Sequence, residues 1–259
     1  MHPVLFKIGP VVVHTYGALM ALAFLMAMVI SKREAKIYGE DPEKVADLIF
    51  YILVWGIIGA RLFYVGVNLS WFLKHPLDVL KVWEGGLVFY GGFIGGLGAA
   101  IFCVKRRQMA FWRSLDILTP ALPFGHFLGR LGCFNAGCCY GKTCDLPWAV
   151  TFSDRLSLAP TGVPLHPSQL YEAGANLLLF GLIMAVRKKT WYSGQLFWGY
   201  VVAYGVIRSV LELFRGDERG SFVMGLSPAQ QVGVVLIVAG ITGLVVLGTR
   251  ARKAGVTHG

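Results

Sequence analysis

Seven stretches of this sequence are long and apolar enough to cross a bilayer: residues 11–31, 46–67, 87–104, 114–132, 168–186, 194–214 and 227–248. A hydrocarbon core about 30 Å thick needs about 20 mostly apolar residues in a helix. No water reaches the backbone at that depth, so each span must satisfy its own N–H and C=O groups. The charged share of 15% agrees, since soluble domains hold about 25%. The expected fold is an all-α integral membrane protein of about seven transmembrane helices. Residues 1–259 are expected to form a single polytopic membrane domain, with the outer loop 133–167 as a small periplasmic cap. Pro120, Pro123 and Arg130 interrupt the fourth stretch, which is tolerable only where protein or a wet cavity covers the backbone.

The basic residues set an orientation. Lys32, Arg33, Lys36 and Lys44 follow the first span, and Lys105, Arg106, Arg107 and Arg113 follow the third. Arg187, Lys188 and Lys189 follow the fifth, and Arg250, Arg252 and Lys253 the seventh. Together these hold 14 of the 24 Lys and Arg residues. Basic loops stay in the cytoplasm, so the N-terminus is expected outside and the C-terminus inside. In a bacterium-like cell that places the chain in the inner (cytoplasmic) membrane. The net charge of +10 reads as topology and attraction to anionic membrane lipids, with no nucleic acid as partner. The basic residues of the first span come after its apolar run, so it is expected to be an uncleaved helix.

Three arginines lie inside these spans: Arg61, Arg130 and Arg208. A guanidinium in hydrocarbon costs about 2.5–3.5 kcal/mol on insertion scales, and such residues mark functional paths. They point to a polar, anion-binding cavity between helices. Arg208 and Glu212 share a helix face at i, i+4, with Tyr204 a turn earlier and Arg215 on the same face. An ion pair that only clamps the fold explains that spacing about as well as function does.

Further polar residues gather toward the outer face. Tyr16 sits in His14-Thr15-Tyr16-Gly17. Trp71, Phe72, Trp83, Lys74 and Lys81 flank an amphipathic stretch, Leu73 to Val82, expected to lie as one interfacial helix. The glycines at 91, 92, 95 and 96 give small-xxx-small faces for close packing, but packing does not account for Glu84 and Tyr90 beside them. His166-Pro167-Ser168-Gln169-Leu170-Tyr171-Glu172 opens the fifth span, with Pro167 expected at its first helical position. Cys133, Cys138, Cys139 and Cys144 follow C-x4-C-C-x4-C, which matches none of the usual zinc pairs. No metal site is expected, and a disulfide of unspecified pairing is the structural expectation in an oxidising compartment.

Taken together, these segments resemble the bacterial prolipoprotein diacylglyceryl transferase family, in order along almost the whole chain. The matching pieces are Tyr16-Gly17, Gly59-Ala60-Arg61, the Trp83–Gly92 segment, Gly129-Arg130-Leu131-Gly132, the His166–Glu172 block and the Tyr204, Arg208, Glu212 spacing. Many members carry His where this chain has Tyr90, and Asn where it has Cys133. The resemblance implies transfer of the diacylglyceryl group of phosphatidylglycerol to the lipobox cysteine thiol of a preprolipoprotein. It implies Arg130, Tyr90, Arg208 and Glu212 as catalytic. It implies Tyr16, Arg61, Glu84, His166, Ser168, Gln169, Tyr171, Glu172 and Tyr204 as substrate-binding, with no cofactor. Arginine suits this chemistry because its planar fork of donors fits a phosphate.

Two other readings fit parts of the sequence. The outer cysteines fit a membrane thiol–disulfide oxidoreductase, although no C-x-x-C is present. An arginine-lined cavity also fits a lipid or anion transporter.

Overall fold

The structure is a computed structural model describing residues 2–9, 11–216 and 225–255. It is mostly helical. A short hairpin comes first, β1 (Val4–Ile8) paired antiparallel with β2 (Val11–His14). The helices α1 (Thr15–Ile37), α2 (Pro42–Val67), the single turn α3 (Leu69–Phe72) and α4 (Phe89–Arg106) follow. Then come α5 (Phe111–Leu118), α6 (Ala121–Ala136) and a second small hairpin of β3 (Val150–Thr151) and β4 (Pro164–Leu165). The chain continues through α7 (Ser168–Val186), α8 (Gln195–Leu211) and α9 (Pro228–Lys253).

Among the described residues, five helices are long and apolar enough to cross a membrane: α1, α2, α7, α8 with its extension to Phe214, and α9. The 18-residue α4 ends in Lys105 and Arg106, and α6 has only 16 residues. The expected fourth stretch is therefore two helices, broken near Thr119 and Pro120, because proline cannot continue the backbone ladder. The expected start of the first span also differs. Val11, Val12 and Val13 pair with β1 instead, as β-branched residues favour.

The chain forms two compact units. One comprises Met1–Ala27 with Leu118–Gly259, the other Met28–Ile117. In the second unit, α2 packs on α4 through the predicted glycine faces. A Cβ at Gly95 would lie 2.3 Å from the Trp55 carbonyl oxygen, and one at Gly59 would lie 2.3 Å from that of Gly91. Backbone cannot retreat as a side-chain tip can. Gly95→Ala is expected to destabilise this pair by about 1–3 kcal/mol, the usual cost of overpacking. Thermal unfolding in detergent would read the loss.

The expected interfacial helix from Leu73 to Val82 is not formed as one element. Two 3-10 turns, Pro76–Leu80 and Val82–Glu84, replace it. Arg61 takes the Asp78 and Val79 carbonyl groups of this segment onto its guanidinium. In the first unit, α6 packs on α7, α7 on α8, and α8 on α9. Ser227 caps α9 with a reciprocal Ser–Gln capping box to Gln230, which satisfies two donors that a helix start otherwise leaves open.

Candidate active site

Among the described residues, two buried ion pairs stand out in the first unit. Arg130 of α6 meets Glu172 of α7 at 2.8 Å, with the carboxylate only 2% exposed and the arginine 20%. Arg208 meets Glu212 at 2.7 Å, both nearly buried. The i, i+4 reading of Arg208 and Glu212 predicted the second pair. The first joins two helices, and no local spacing announces it. Tyr204 connects the two pairs, since its phenol lies within electrostatic range of Glu172, Arg130 and Arg208. Its ring stacks on Tyr200 and leans on His126 at 4.9 Å between centroids. Tyr16 borders the same region. It packs against Gly132, where a Cβ would lie 2.9 Å from its ring, and it lies within electrostatic range of Arg130.

Arg208 carries a further detail. Its Nη1 is buried with no hydrogen-bond partner among the described residues. An unsatisfied buried donor costs about 1–3 kcal/mol, more when charged. Glu212 is held from the other side, where Ser227 Oγ donates to its Oε1 at 3.0 Å.

Polar side chains of the block that opens α7 bond within the protein, although Gln169 Oε1 has no partner among the described residues. Ser168 Oγ donates to the Cys139 carbonyl and Gln169 Nε2 to the Cys138 carbonyl, both at 2.9 Å. Both side chains are almost wholly buried. His166 Nδ1 lies 3.2 Å from the Tyr171 hydroxyl, which accepts from Trp148 Nε1 at 2.8 Å. Phe214 covers both rings. Pro167 stands just before the helix rather than at its first position. Of the block, only Glu172 reaches an arginine shown here as an ion-pair partner.

The expected disulfide is not formed. None of the five cysteines, Cys103 within α4 included, is disulfide-bonded. Cys144 is buried apart, its N–H on the Pro164 carbonyl. Cys133, Cys138 and Cys139 instead converge, with every sulfur within 4.8 Å of the others. The grouping needs a chain reversal. Gly137 ends α6 at φ +74°, and Cys139 follows at φ +64°. A non-glycine residue there costs roughly 1–2 kcal/mol. Hydrogen bonds from Cys133 and Cys138, helped by Arg215 and Arg130, hold the Cys139 thiol below its ordinary range. The Cys138 thiol is pushed up by its hydrogen bonds with Cys133 and Cys139.

The remaining expected site residues belong to the second unit. Arg61 is buried and gives its donors to carbonyl groups. Nε bonds Val79 at 2.9 Å, Nη1 bonds Gly85 at 2.7 Å and Gly86 at 3.2 Å, and Nη2 bonds Asp78. The rings of Tyr64 and Phe72 flank it at 5.6 and 5.5 Å. A cavity of about 370 Å³ adjoins it, lined by Tyr64, Asn68, Trp71 and Phe72 among others. Glu84 stands in the last 3-10 turn of this segment. Tyr90 lies in the first turn of α4, 69% exposed, with its ring edge-on to Phe89.

Comparison with known proteins bears on the whole chain. The model of the prolipoprotein diacylglyceryl transferase family matches residues 3–246. A phosphatidylglycerol–prolipoprotein diacylglyceryl transferase of Geobacter sulfurreducens is 37% identical, covering 98% of this chain and 97% of its own. One from Clostridium tetani is 34% identical over 93% of this chain and 96% of its own. Another, from Methylibium petroleiphilum, is 34% identical over 96% and 97%. The chain belongs to the prolipoprotein diacylglyceryl transferase family.

Proposed function

We propose that this chain transfers the diacylglyceryl group of phosphatidylglycerol to the lipobox cysteine thiol of a preprolipoprotein. The observation that carries the reading is Arg208 Nη1, a buried, unpartnered cationic donor in a membrane protein. It lies on the guanidinium that, with Arg130, comes within electrostatic range of Tyr204. An anionic lipid phosphate is the acceptor such a donor fits. The substrate sulfur attacks the glyceryl carbon, a C–S bond forms, and the C–O bond to phosphate breaks. The thiol proton balances the second negative charge on the departing glycerol 1-phosphate. Charge grows on that phosphate in the transition state, so arginines already aimed at it lower the barrier. No metal, cofactor or enzyme nucleophile is required, because the substrate supplies the nucleophile.

Arg130, Arg208 and Glu212 are assigned to the phosphate, with Tyr16, Glu172 and Tyr204 lining the donor site. His166, Ser168, Gln169 and Tyr171 keep its outer wall in shape. Arg61 holds the segment that carries Glu84 and leads to Tyr90. Tyr90, in the second unit, is assigned one hydrogen bond to a substrate, since a phenol of pKa about 10 is a poor base at neutral pH. Tyr90→Phe is expected to slow single-turnover transfer more than it weakens lipid binding. Unchanged single-turnover kinetics would remove Tyr90 from the reaction.

The same reading makes residues 1–259 one polytopic domain of seven spans in a bacterial inner membrane. In it residues 87–104 and 114–132 supply the third and fourth spans. The N-terminus lies outside, the C-terminus in the cytoplasm, and 133–167 forms a periplasmic cap. The experiment is direct. Purified protein is mixed with phosphatidylglycerol and a lipobox peptide, and the thioether product is sought by mass spectrometry. Thiol oxidation, or lipid flux without product, would replace the transferase reading.

A further inference from the structure

The reaction just described leaves one half-buried group of reactive side chains unused: the thiols of Cys133, Cys138 and Cys139. We propose that these three residues form a site for a single thiophilic d10 cation of the Zn2+ class. The distances fit. Sulfurs bound to one zinc at about 2.3 Å in tetrahedral geometry stand about 3.8 Å apart, and these three lie within 4.8 Å of one another. The backbone is arranged for convergence. Cys133 sits in the last turn of α6, Gly137 reverses the chain, and Cys139 is held in a left-handed conformation that non-glycine residues avoid. Two buried side chains of α7, Ser168 and Gln169, clamp the carbonyl groups of Cys139 and Cys138. The site is therefore pre-organised from two helices.

Charge favours the assignment as well. Three thiolates around a divalent ion leave a net negative charge, and both Arg130 and Arg215 lie within electrostatic range of Cys139. A disulfide accounts for the cluster less well. It would join two sulfurs at about 2.05 Å and strand the third. Three protein ligands leave the fourth zinc position to water or an exogenous ligand. Because the ion would bridge the end of α6 to the turn held by α7, it would steady the stretch that carries Arg130.

The test uses the full-length protein, reduced and in detergent, titrated with Co2+ and then Zn2+. One Co2+ per chain is expected, with the thiolate charge-transfer band and the intense visible bands of tetrahedral cobalt, both lost when Zn2+ displaces it. Zn2+ should raise the thermal midpoint, because a ion bound only to the folded state stabilises it. Cys133→Ala, Cys138→Ala and Cys139→Ala should each weaken binding by at least the roughly 10–100-fold that loss of an outer partner costs. Cys144→Ala should bind like the parent. Thermal unfolding without metal shows whether each variant is folded. No thiolate–cobalt band in folded, reduced parent protein would overturn the proposal. So would equal binding by folded cluster variants. The transfer assay is read separately, so loss of the metal site and loss of the transferase reading are distinguishable.

Discussion

Arg130→Ala is expected to lower transfer by about two to three decades at saturating phosphatidylglycerol. That corresponds to roughly 2–4 kcal/mol of lost transition-state stabilisation. The guanidinium is held by Glu172 at 2.8 Å, yet it is 20% exposed while its partner is 2% exposed. One side of the fork is therefore fixed, and the rest faces the region bordered by Tyr16 and Tyr204. Arg130→Lys keeps the charge but gives up the planar pair of donors, so it should restore only part of the rate. Glu172→Gln should act differently. It keeps the shape of the site but leaves the arginine without its counter-ion, so folding stability should fall along with the rate. Initial rates beside thermal unfolding separate these effects. Parent-like turnover by folded Arg130→Ala at saturating lipid would remove this residue from the phosphate.

What the sequence disclosed follows from the range of each interaction. The span expected at 168–186 coincides with α7, bounded by Pro167 before it and Arg187-Lys188-Lys189 after it. The Arg208–Glu212 pair was legible because helical periodicity places i and i+4 together. Arg130–Glu172 was not legible as a pair, since nothing local records how two helices pack. Arg61 was expected in an anion cavity because of its depth in the span. In the structure, Asp78, Val79, Gly85 and Gly86 offer it carbonyl groups, and that loop conformation is not encoded in any periodicity. The cysteine cluster was missed for a similar reason. Its spacing resembles no zinc pair, and the gap closes through two left-handed residues, Gly137 and Cys139, on either side of Cys138. The glycine faces of α4 were legible because their partners need no particular side chain, only close backbone approach.

The second large effect is expected at Arg208 and Glu212, which should behave as a unit. Arg208→Ala leaves a buried carboxylate without its counter-ion, a loss of roughly 3–5 kcal/mol where burial is complete. It also removes Nη1, a buried donor with no partner among the described residues, so under the phosphate assignment lipid affinity should fall in whatever protein still folds. Glu212→Gln keeps the shape and leaves an oxygen to accept from Ser227 Oγ, so it should cost less on both measures. Ser227→Ala reaches the pair from α9. It removes the helix cap, worth typically about 1 kcal/mol, together with the hydrogen bond to Glu212. Because the three side chains touch in sequence, the double variant Arg208→Ala with Glu212→Gln should fall short of the sum of its parts. The measurements are phosphatidylglycerol binding and thermal stability for each variant in the same detergent. Phosphate recognition requires Arg208→Ala to lose affinity beyond what its lost stability explains, with Glu212→Gln close to the parent in affinity. Equal stability losses with unaltered lipid affinity in both would reduce the pair to a clamp between α8 and the start of α9, and the donor phosphate would then fall to Arg130.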